Sequence, residues 1–419
     1  MKILFIHQNF PGQFKHLAEE LKNLGHEVCA IAINPAASIG VRVEHYQPLV
    51  GSSKNIHPLA TEFETKIIRG EACANKLLKL SRDGFYPDLI IGHPGWGEML
   101  FAREVYPKAK QIHFIEFYYQ ASGADVNFDP EFLNSSLEER ERIYTKNAHL
   151  ALSMLEMDWG YAPTQWQKSL TPEIFQNKVD VIFDGIDTDI VKPKLPSENI
   201  TLKIDMFNGS TRVINETDEI ITFVNRNLEP YRGYHSFIRA LPEIQRQRPH
   251  AITLIAGGEG VSYGAKAPDG RTWKDIFLDE VKADIDASRV IFLGNIVYDQ
   301  YIKLLQISKC HVYLTYPFVL SWSCLEAMAC EALVVGSKTA PVEEVIVDRE
   351  NGLLVDFFDI KNIAHTVIDV LKNPEQYQSI RKAARRTIME KYDLKSVSIP
   401  SQLAMIEKVM EASFVPKSN

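Results

Sequence analysis

Two arginines in the second half of the chain carry the charge that an anionic ligand needs. Arg226 and Arg232 lie on one predicted loop in VNRNLEPYRGYHSF, residues 224–237. Two guanidinium groups on one loop can bind a diphosphate and neutralise it as it leaves. The alternative is a surface pair that Glu229 neutralises.

A second stretch, TYPFVLSWSCLEAMACEALVVG, occupies residues 315–336 and predicts a strand end, a loop and a helix beginning near Ser323. The first N–H groups of a helix have no intrahelical acceptor, so this helix start favours an anion such as a diphosphate. Glu326 follows one turn later, where its carboxylate can accept hydrogen bonds from ribose hydroxyls. Ser323 and Glu326 also fit a capping box, which needs no ligand.

The elements that must position these residues alternate between short β-rich runs and helical patterns. The first half predicts strands at Ile3–His7, Val28–Ile33, Asp88–Gly92, Gln111–Phe117, Leu150–Leu155 and Val179–Phe183. After an exposed linker at Lys192–Ser197 the alternation of strands and helices begins again. The second half predicts strands at Ile220–Asn225, Ile252–Ala256, Val290–Leu293, His311–Thr315, Leu333–Gly336 and Leu353–Val355. Apolar strands alternating with helices indicate parallel sheets covered on both faces.

Predicted helices are Tyr234–Gln247, Gln300–Ser308, Cys324–Cys330, Ile360–Lys372, Glu375–Lys391 and Ser401–Ala412. In such sheets ligands bind at the carboxyl ends of the strands. We therefore expect the arginines and Glu326 to meet at one sheet edge.

Composition excludes several classes of function. The 419 residues carry a net charge of −8, which argues against a nucleic-acid partner. No run is long and apolar enough to predict a membrane span, and MKILFIHQNF reads as a first strand. The five cysteines lack metal-site spacing and predict buried free thiols. Asp187-Thr188-Asp189 is interpreted as a turn, so no metal is expected.

In order and spacing, the motifs of the second half resemble glycosyltransferase family 4, the retaining enzymes of GT-B fold. The matching pieces are Asn225-Arg226, Arg232-Gly233, Phe292-Leu293-Gly294 and Glu326-Ala327-Met328-Ala329. The first half resembles the family more loosely, at Pro11-Gly12, Gly25–Val28, Pro163–Trp166 and Asp184–Asp187.

The resemblance implies an α/β GT-B fold, with two Rossmann-like, doubly wound parallel-sheet domains that face an interdomain cleft. We expect an acceptor-binding domain over residues 1–195 and a nucleotide-sugar-binding domain over residues 196–396. A C-terminal helix within residues 397–419 is expected to cross back to the first domain.

The resemblance also implies the site. Arg226 and Arg232 are expected to be catalytic, binding the diphosphate and stabilising its departure. The full donor-binding set is Gly12, Asn225, Arg226, Arg232, Gly294, Val297, Leu320, Ser321, Trp322, Ser323 and Glu326. His93 and Glu116 are expected near the transferred sugar or the acceptor. The family's first glutamate of this motif, which contacts the sugar, falls on Phe318 here.

The implied reaction transfers a sugar from a nucleotide-sugar donor, a UDP-sugar, to a carbohydrate or lipid-linked saccharide acceptor with retention. Bacterial polysaccharide or glycoconjugate synthesis is the expected role, without a cofactor. The expected location is cytoplasmic, with peripheral contact at the inner face of the membrane left open. Two alternatives stay open. One is a GT-B-like nucleotide-sugar epimerase, and the other is a non-catalytic partner subunit, which Phe318 favours.

Overall fold

The predicted alternation of strands and helices runs through residues 1–34, 39–205 and 211–412, which the computed structural model describes. The chain divides into two units. Unit 1 comprises Met1–Gly185 together with the described residues from Leu394 onward, and unit 2 comprises Ile186–Asp393. In this division Lys192–Ser197 lies within unit 2. The domain bounds expected from the sequence remain predictions.

Unit 1 is built around a parallel sheet. Its strands are β1 (Lys2–Ile6), β2 (Glu27–Ala32), β3 (Arg42–His45), β4 (Leu89–Gly92), β5 (Lys110–Phe114), β6 (Trp159–Ala162) and β7 (Val179–Val181). Its helices are α1 (Lys15–Asn23), α2 (Pro58–Arg82), α3 (Ala102–Val105), α4 (Leu137–Lys146), α5 (Ala148–Glu156), α6 (Gln165–Ser169) and α7 (Glu173–Gln176). Short 3-10 turns lie at Gly12–Phe14, Pro94–Trp96 and Pro130–Phe132. The strand order is β3-β2-β1-β4-β5-β6-β7.

The interior strand β1 explains why this sheet is covered on both faces. Ile3 and Phe5 pack into one apolar cluster, whereas Leu4 and Ile6 pack into a second cluster on the opposite face. Side chains alternate between the faces of a strand, so a continuous apolar run requires helices on both sides. Each such buried side chain contributes roughly 1.5–3 kcal/mol to folding.

The strand predicted at Leu150–Leu155 is wrong, because this segment lies in α5. Leu150 and Met154 are buried, whereas Leu152 and Leu155 are exposed. Burial every fourth residue is the pattern of one helix face, and a short apolar run alone does not distinguish the two structures. The strand of this region is β6, which the sequence reading missed.

Unit 2 contains a second parallel sheet and a hairpin. The strands are β8 (Thr201–Asp205), β9 (Thr211–Asn215), β10 (Ile220–Asn227), β11 (Ile252–Gly258), β12 (Val290–Gly294), β13 (Cys310–Tyr313), β14 (Val334–Ser337) and β15 (Leu353–Val355). The helices are α8 (Tyr234–Gln247), α9 (Trp273–Val281), α10 (Tyr298–Ile307), α11 (Trp322–Ala329), α12 (Ala340–Glu343), α13 (Ile360–Lys372) and α14 (Gln378–Lys391). Short 3-10 turns lie at Pro230–Arg232, Pro268–Gly270, Ala287–Arg289 and Pro374–Tyr377.

The second sheet has the strand order β12-β11-β10-β13-β14-β15, and all its pairs are parallel. The chain therefore reverses its direction of winding between β10 and β13. In an open parallel sheet, loops part at this switch point and leave a crevice at the carboxyl ends of the strands. The antiparallel hairpin β8-β9 lies outside this sheet.

The last helix, α15 (Ile399–Glu411), packs within unit 1 after a π-helical turn at Leu394–Ser398. Met405, Ile406 and Val409 join the apolar cluster that also contains Leu17 of α1. The burial of these three side chains attaches the C-terminal segment to the first sheet.

All five cysteines are buried and free, as the sequence predicted. Among residues 1–34, 39–205 and 211–412, none of the helices combines the length and apolar character needed to cross a bilayer.

The buried imidazole of His311 makes unit 2 sensitive to acid. Burial lowers the pKa of His311 from 6.5 to about 3, so the ring is neutral in the folded protein. Its unfolded form binds a proton below pH 6.5. The free energy of unfolding therefore keeps this contribution in full above pH 6.5. It decreases by about 1.4 kcal/mol per pH unit as the pH falls from there towards 3.

We expect His311→Phe to reduce the slope of unfolding free energy against pH by about this amount between pH 4.5 and 6. Urea unfolding at several pH values measures the slope. Equal slopes in the wild type and the variant would contradict the assignment. Thr222, whose hydroxyl contacts His311, keeps Ser308 as a hydrogen-bond partner at 2.7 Å.

Candidate functional site

A cavity of about 410 Å³ opens at the switch point of the second sheet. Its walls are the carboxyl ends of β10, β11 and β12 together with the beginnings of α10 and α11. The lining includes Asn225, Arg226, Gly257, Gly294, Asn295, Tyr298, Tyr301, Ser321, Trp322, Ser323 and Glu326. We call this cavity the switch-point pocket. It places a guanidinium, a carboxylate and a helix start around one volume.

The structure brings together seven members of the predicted donor-binding set. These are Asn225, Arg226, Gly294, Ser321, Trp322, Ser323 and Glu326. Arg232, Val297 and Leu320 are not among the lining residues, although Val297 and Leu320 directly precede the lining residues Tyr298 and Ser321. Gly12, His93 and Glu116 belong to unit 1. Val297 is exposed and precedes α10, whereas Leu320 is buried.

Arg226 lines the pocket from an irregular segment at the carboxyl end of β10. The register between β10 and β11 shifts between Val224 and Asn227. Such a bulge re-aims the side chains it contains. Arg226 is exposed and lines the pocket, so its guanidinium is available to an anion there.

Arg232 lies in a different environment from Arg226. Its side chain is buried, and Nη1 donates to Thr315 Oγ1 at 2.9 Å and to the Val319 carbonyl at 3.1 Å. The guanidinium also lies 5.0 Å from the ring centroid of Tyr263. These contacts fix the loop between β13 and α11, which leads directly into the pocket wall.

Glu229 is not the surface carboxylate of the alternative interpretation, which is therefore wrong. It is fully buried and accepts the backbone N–H groups of Ser262, Tyr263 and Gly264 at 3.0–3.3 Å. A carboxylate that accepts several backbone donors holds a loop firmly. Glu229 thus anchors the segment that carries Tyr263 against Arg232.

The capping box proposed for Ser323 and Glu326 does not form. The N-cap of α11 is Ser321, whose Oγ accepts the N–H of Ser323 at 3.3 Å. Glu326 instead accepts the hydroxyl of Tyr298 at 2.7 Å and that of Tyr301 at 2.8 Å. The buried carboxylate faces α10 and the pocket, so it does not act as a helix cap.

The N–H of Ser321 donates to the hydroxyl of Tyr313 at 2.8 Å. Two backbone N–H groups at this helix start, those of Ser321 and Ser323, therefore already have acceptors. Phe318, at the position of the family's first glutamate, is buried with its ring 4.9 Å from Tyr263. It belongs to the same aromatic packing that surrounds Arg232.

In unit 1, His93 and Glu116 lie together beside a small cavity of about 70 Å³. His93 Nε2 is 3.4 Å from Glu116 Oε2, and the imidazole stacks on Trp96 at 4.2 Å. His93 Nδ1 accepts the N–H of Gly95, which places the ring proton on Nε2 towards Glu116. β5 ends at Phe114, so Glu116 follows the strand and does not end it.

A glycine is required at position 12 by the local structure of unit 1. Its φ is +47°, and a Cβ there would lie 2.5 Å from Cε1 of His7. His7 Nε2 bonds Gln13 and its Nδ1 accepts the N–H of Asn9. Burial and the nearby His93 lower the pKa of His7 to about 3, so the ring stays neutral.

Asp187 and Asp189 form a turn, in which the N–H of Asp189 donates to Asp187 Oδ1 at 3.1 Å. A larger groove of about 830 Å³ lies between α8 and α13. Its arginines 239, 246 and 289 are paired with Glu280, Glu243 and Asp286. The switch-point pocket is the smaller cavity, but it lies where the sheet topology predicts a ligand.

Sequence reasoning missed Tyr298 and Tyr301. They stand three residues apart, which places them on one face of α10, directly after the loop that follows β12. Two phenols at this spacing were a readable signal, but their partner on α11 depends on tertiary packing.

Comparisons with known proteins match both halves of the chain. A family model described as "Glycosyl transferase family 4 group" matches residues 24–191, and one described as "Glycosyl transferases group 1" matches residues 210–387. The chain belongs to glycosyltransferase family 4. This membership supports glycosyl transfer as its reaction class.

Two curated proteins are similar in sequence to this family 4 chain. An uncharacterized glycosyltransferase of Methanocaldococcus jannaschii is 21% identical over 319 residues, covering 75% of this chain and 71% of the relative. N-acetyl-alpha-D-glucosaminyl L-malate synthase of Bacillus anthracis is 30% identical over 193 residues, 46% of each protein. This second match thus spans less than half of that relative.

Solved structures confirm the fold of this family 4 chain. Sucrose-phosphate synthase from Thermosynechococcus elongatus superposes with a TM-score of 0.72 at 16% identity, covering 99% of this chain and all of that one. HepE of Anabaena, in complex with UDP and glucose, gives 0.66 at 15% identity, covering 97% and 99%. The predicted GT-B fold with two parallel-sheet α/β domains is confirmed.

Proposed function

We propose that this family 4 chain transfers a hexosyl group from a UDP-sugar to a hydroxyl of a carbohydrate acceptor, with retention of anomeric configuration. The observation that carries the proposal is the switch-point pocket, where Arg226, Glu326 and the start of α11 surround one cavity. Related structures support the choice of donor. HepE was solved with UDP-glucose, and a TarM variant was solved with UDP.

The donor fits the pocket by charge. Its diphosphate lies between the exposed guanidinium of Arg226 and the start of α11, where the helix dipole favours negative charge. Its ribose lies against Glu326, and its base meets the backbone of residues 294–297. Arg232 supports this arrangement by fixing the loop that precedes α11.

Catalysis then rests on stabilising the departing nucleoside diphosphate. The bond between the anomeric carbon and the diphosphate oxygen breaks while the acceptor oxygen bonds to the same face of that carbon. The acceptor proton passes to the departing diphosphate. Arg226 neutralises the developing charge, and a positioned cation of this kind contributes several kcal/mol of transition-state stabilisation.

Acceptor recognition is assigned to unit 1, and recognition of the transferred sugar to the loop around Phe318 in unit 2. His93 and Glu116 are the proposed polar contacts, since they lie beside a cavity that follows β4 and β5. Relatives that act on L-malate and D-inositol 3-phosphate indicate how widely acceptors vary among similar proteins. The proposed role is bacterial polysaccharide or glycoconjugate synthesis.

A thermal-shift screen with UDP, GDP, ADP and CDP tests donor binding. We expect UDP, at a hundred times its Kd, to add about 2.7 kcal/mol of stability. This corresponds to a rise in Tm of roughly 5–10 °C for a unit of this size. Glu326→Ala should lose most of that shift, whereas Glu243→Ala, on the surface of α8, should keep it.

Failure of every nucleotide to stabilise the wild type would contradict the proposal and favour a non-catalytic partner subunit. Incubation of a UDP-sugar without acceptor separates the remaining alternative, because an epimerase would convert the donor to its epimer. An NMR assignment showing inversion at the anomeric carbon of the product would reject retention.

A further inference from the structure

The carboxylate of Glu326 is already occupied by two phenols. Oε1 accepts the Tyr298 hydroxyl at 2.7 Å, and Oε2 accepts the Tyr301 hydroxyl at 2.8 Å. Glu326 is only 6% exposed. A ribose that binds this carboxylate must therefore share or replace hydrogen bonds that the protein itself supplies.

The two tyrosines differ in their access to the pocket. Tyr301 is 8% exposed and packed within unit 2, whereas Tyr298 is 50% exposed. Tyr298 is also in the first turn of α10, where the chain leaves the exposed Val297. The Tyr298 side chain can therefore turn into solvent, whereas the Tyr301 side chain is held by its surroundings.

We propose that Tyr298 is a displaceable cap on Glu326, which the ribose hydroxyls of the donor replace, while Tyr301 is a fixed positioning residue. This inference rests on the proposed function. The two tyrosines would thus discriminate nucleotides that carry both ribose hydroxyls from nucleotides that lack them. A ligand with both ribose hydroxyls supplies Oε1 with a new donor, and a ligand without them does not.

The selectivity for ribose hydroxyls follows from the free energy lost when the Tyr298 hydrogen bond to Glu326 is broken and not replaced. A buried carboxylate oxygen that loses its donor is strongly disfavoured. Burial raises the pKa of Glu326, and the two tyrosine hydroxyls oppose that rise. Burial and the neighbouring Glu326 raise the pKa of Tyr298, so its phenol remains a donor across the neutral range. Displacement of Tyr298 by anything other than a donor group is therefore unfavourable.

Calorimetric titration of UDP into two single variants at pH 8 tests the proposal, because the expected effects have opposite signs. Tyr298→Phe removes the competing hydroxyl, so UDP should bind roughly three- to tenfold more tightly. Tyr301 bonds Oε2 in the free and in the bound protein alike, so Tyr301→Phe removes no competitor. It lets the carboxylate turn away from the ribose, and UDP should bind about tenfold more weakly. The Tm of each variant, measured without ligand, shows that both remain folded.

The matched probe is 2′,3′-dideoxyuridine diphosphate, which lacks the two hydroxyls. It should bind the wild type more weakly than UDP, and Tyr298→Phe should not tighten its binding. Unchanged or weaker binding of UDP to Tyr298→Phe would overturn the proposal, as would equal tightening for both ligands. If the wild type bound neither UDP nor GDP, ADP or CDP run alongside, the proposed function itself would fail.

Discussion

Arg226→Ala is expected to lower the rate of glycosyl transfer about 10²- to 10³-fold while leaving the Tm nearly unchanged. Arg226 is exposed at the end of β10 and lines the switch-point pocket. Its removal therefore costs little packing but takes away the positive charge that meets the departing diphosphate. The initial rates of transfer and of the slow hydrolysis of the donor should both decrease.

Arg246→Ala is the matched control. Arg246 is also an exposed arginine of unit 2, paired with Glu243 on α8 at 2.6 Å. Surface pairs of this kind contribute little to stability. Transfer by this variant should stay close to that of the wild type. Near-normal transfer by Arg226→Ala would remove the arginine from the mechanism.

Arg232→Ala is expected to act mainly through stability, lowering the free energy of unfolding by about 3 kcal/mol. The buried guanidinium donates to Thr315 and Val319 and lies over the ring of Tyr263. The variant would leave two buried acceptors without this donor and a cavity beside Tyr263. Urea unfolding measures the loss, which should accompany weaker nucleotide binding.

Arg239→Ala controls for the loss of any arginine in unit 2, because its ion pair with Glu280 lies towards the surface. Its guanidinium also lies 5.2 Å from the Phe277 ring centroid, so the variant should lower the free energy of unfolding by about 1–2 kcal/mol, less than Arg232→Ala. If Arg232→Ala unfolded like the wild type yet lost transfer as severely as Arg226→Ala, Arg232 would be a direct ligand of the diphosphate. The structural role derived from its buried contacts would then be wrong.

The sequence predicted the fold best where apolar runs are continuous and flanked by clear breaks. Leu353–Val355 and Ile360–Lys372 agree with β15 and α13 residue for residue. The polar edge strand β3 and the hairpin β8-β9 were missed because neither contains a continuous apolar run. Such strands are defined by their pairing partners, and composition alone does not reveal these.

The candidate site was predictable to the extent that it follows the ends of strands. Gly294 ends β12 and Arg226 lies one residue before the end of β10, so parallel strand order brings them to one edge. Glu326 could be placed on a helix near this edge, but its bonding partners could not be predicted. The local sequence fits a capping box, but Glu326 instead bonds two tyrosines that the packing of α10 brings next to it.

A crystal structure of the protein with UDP tests most directly whether the switch-point pocket binds a nucleoside diphosphate. We predict the diphosphate beside the Arg226 guanidinium and the start of α11, with the ribose hydroxyls on Glu326 and the Tyr298 hydroxyl displaced. UDP bound in the α8–α13 groove or within unit 1, with the switch-point pocket empty, would contradict nucleotide binding by Arg226 and Glu326.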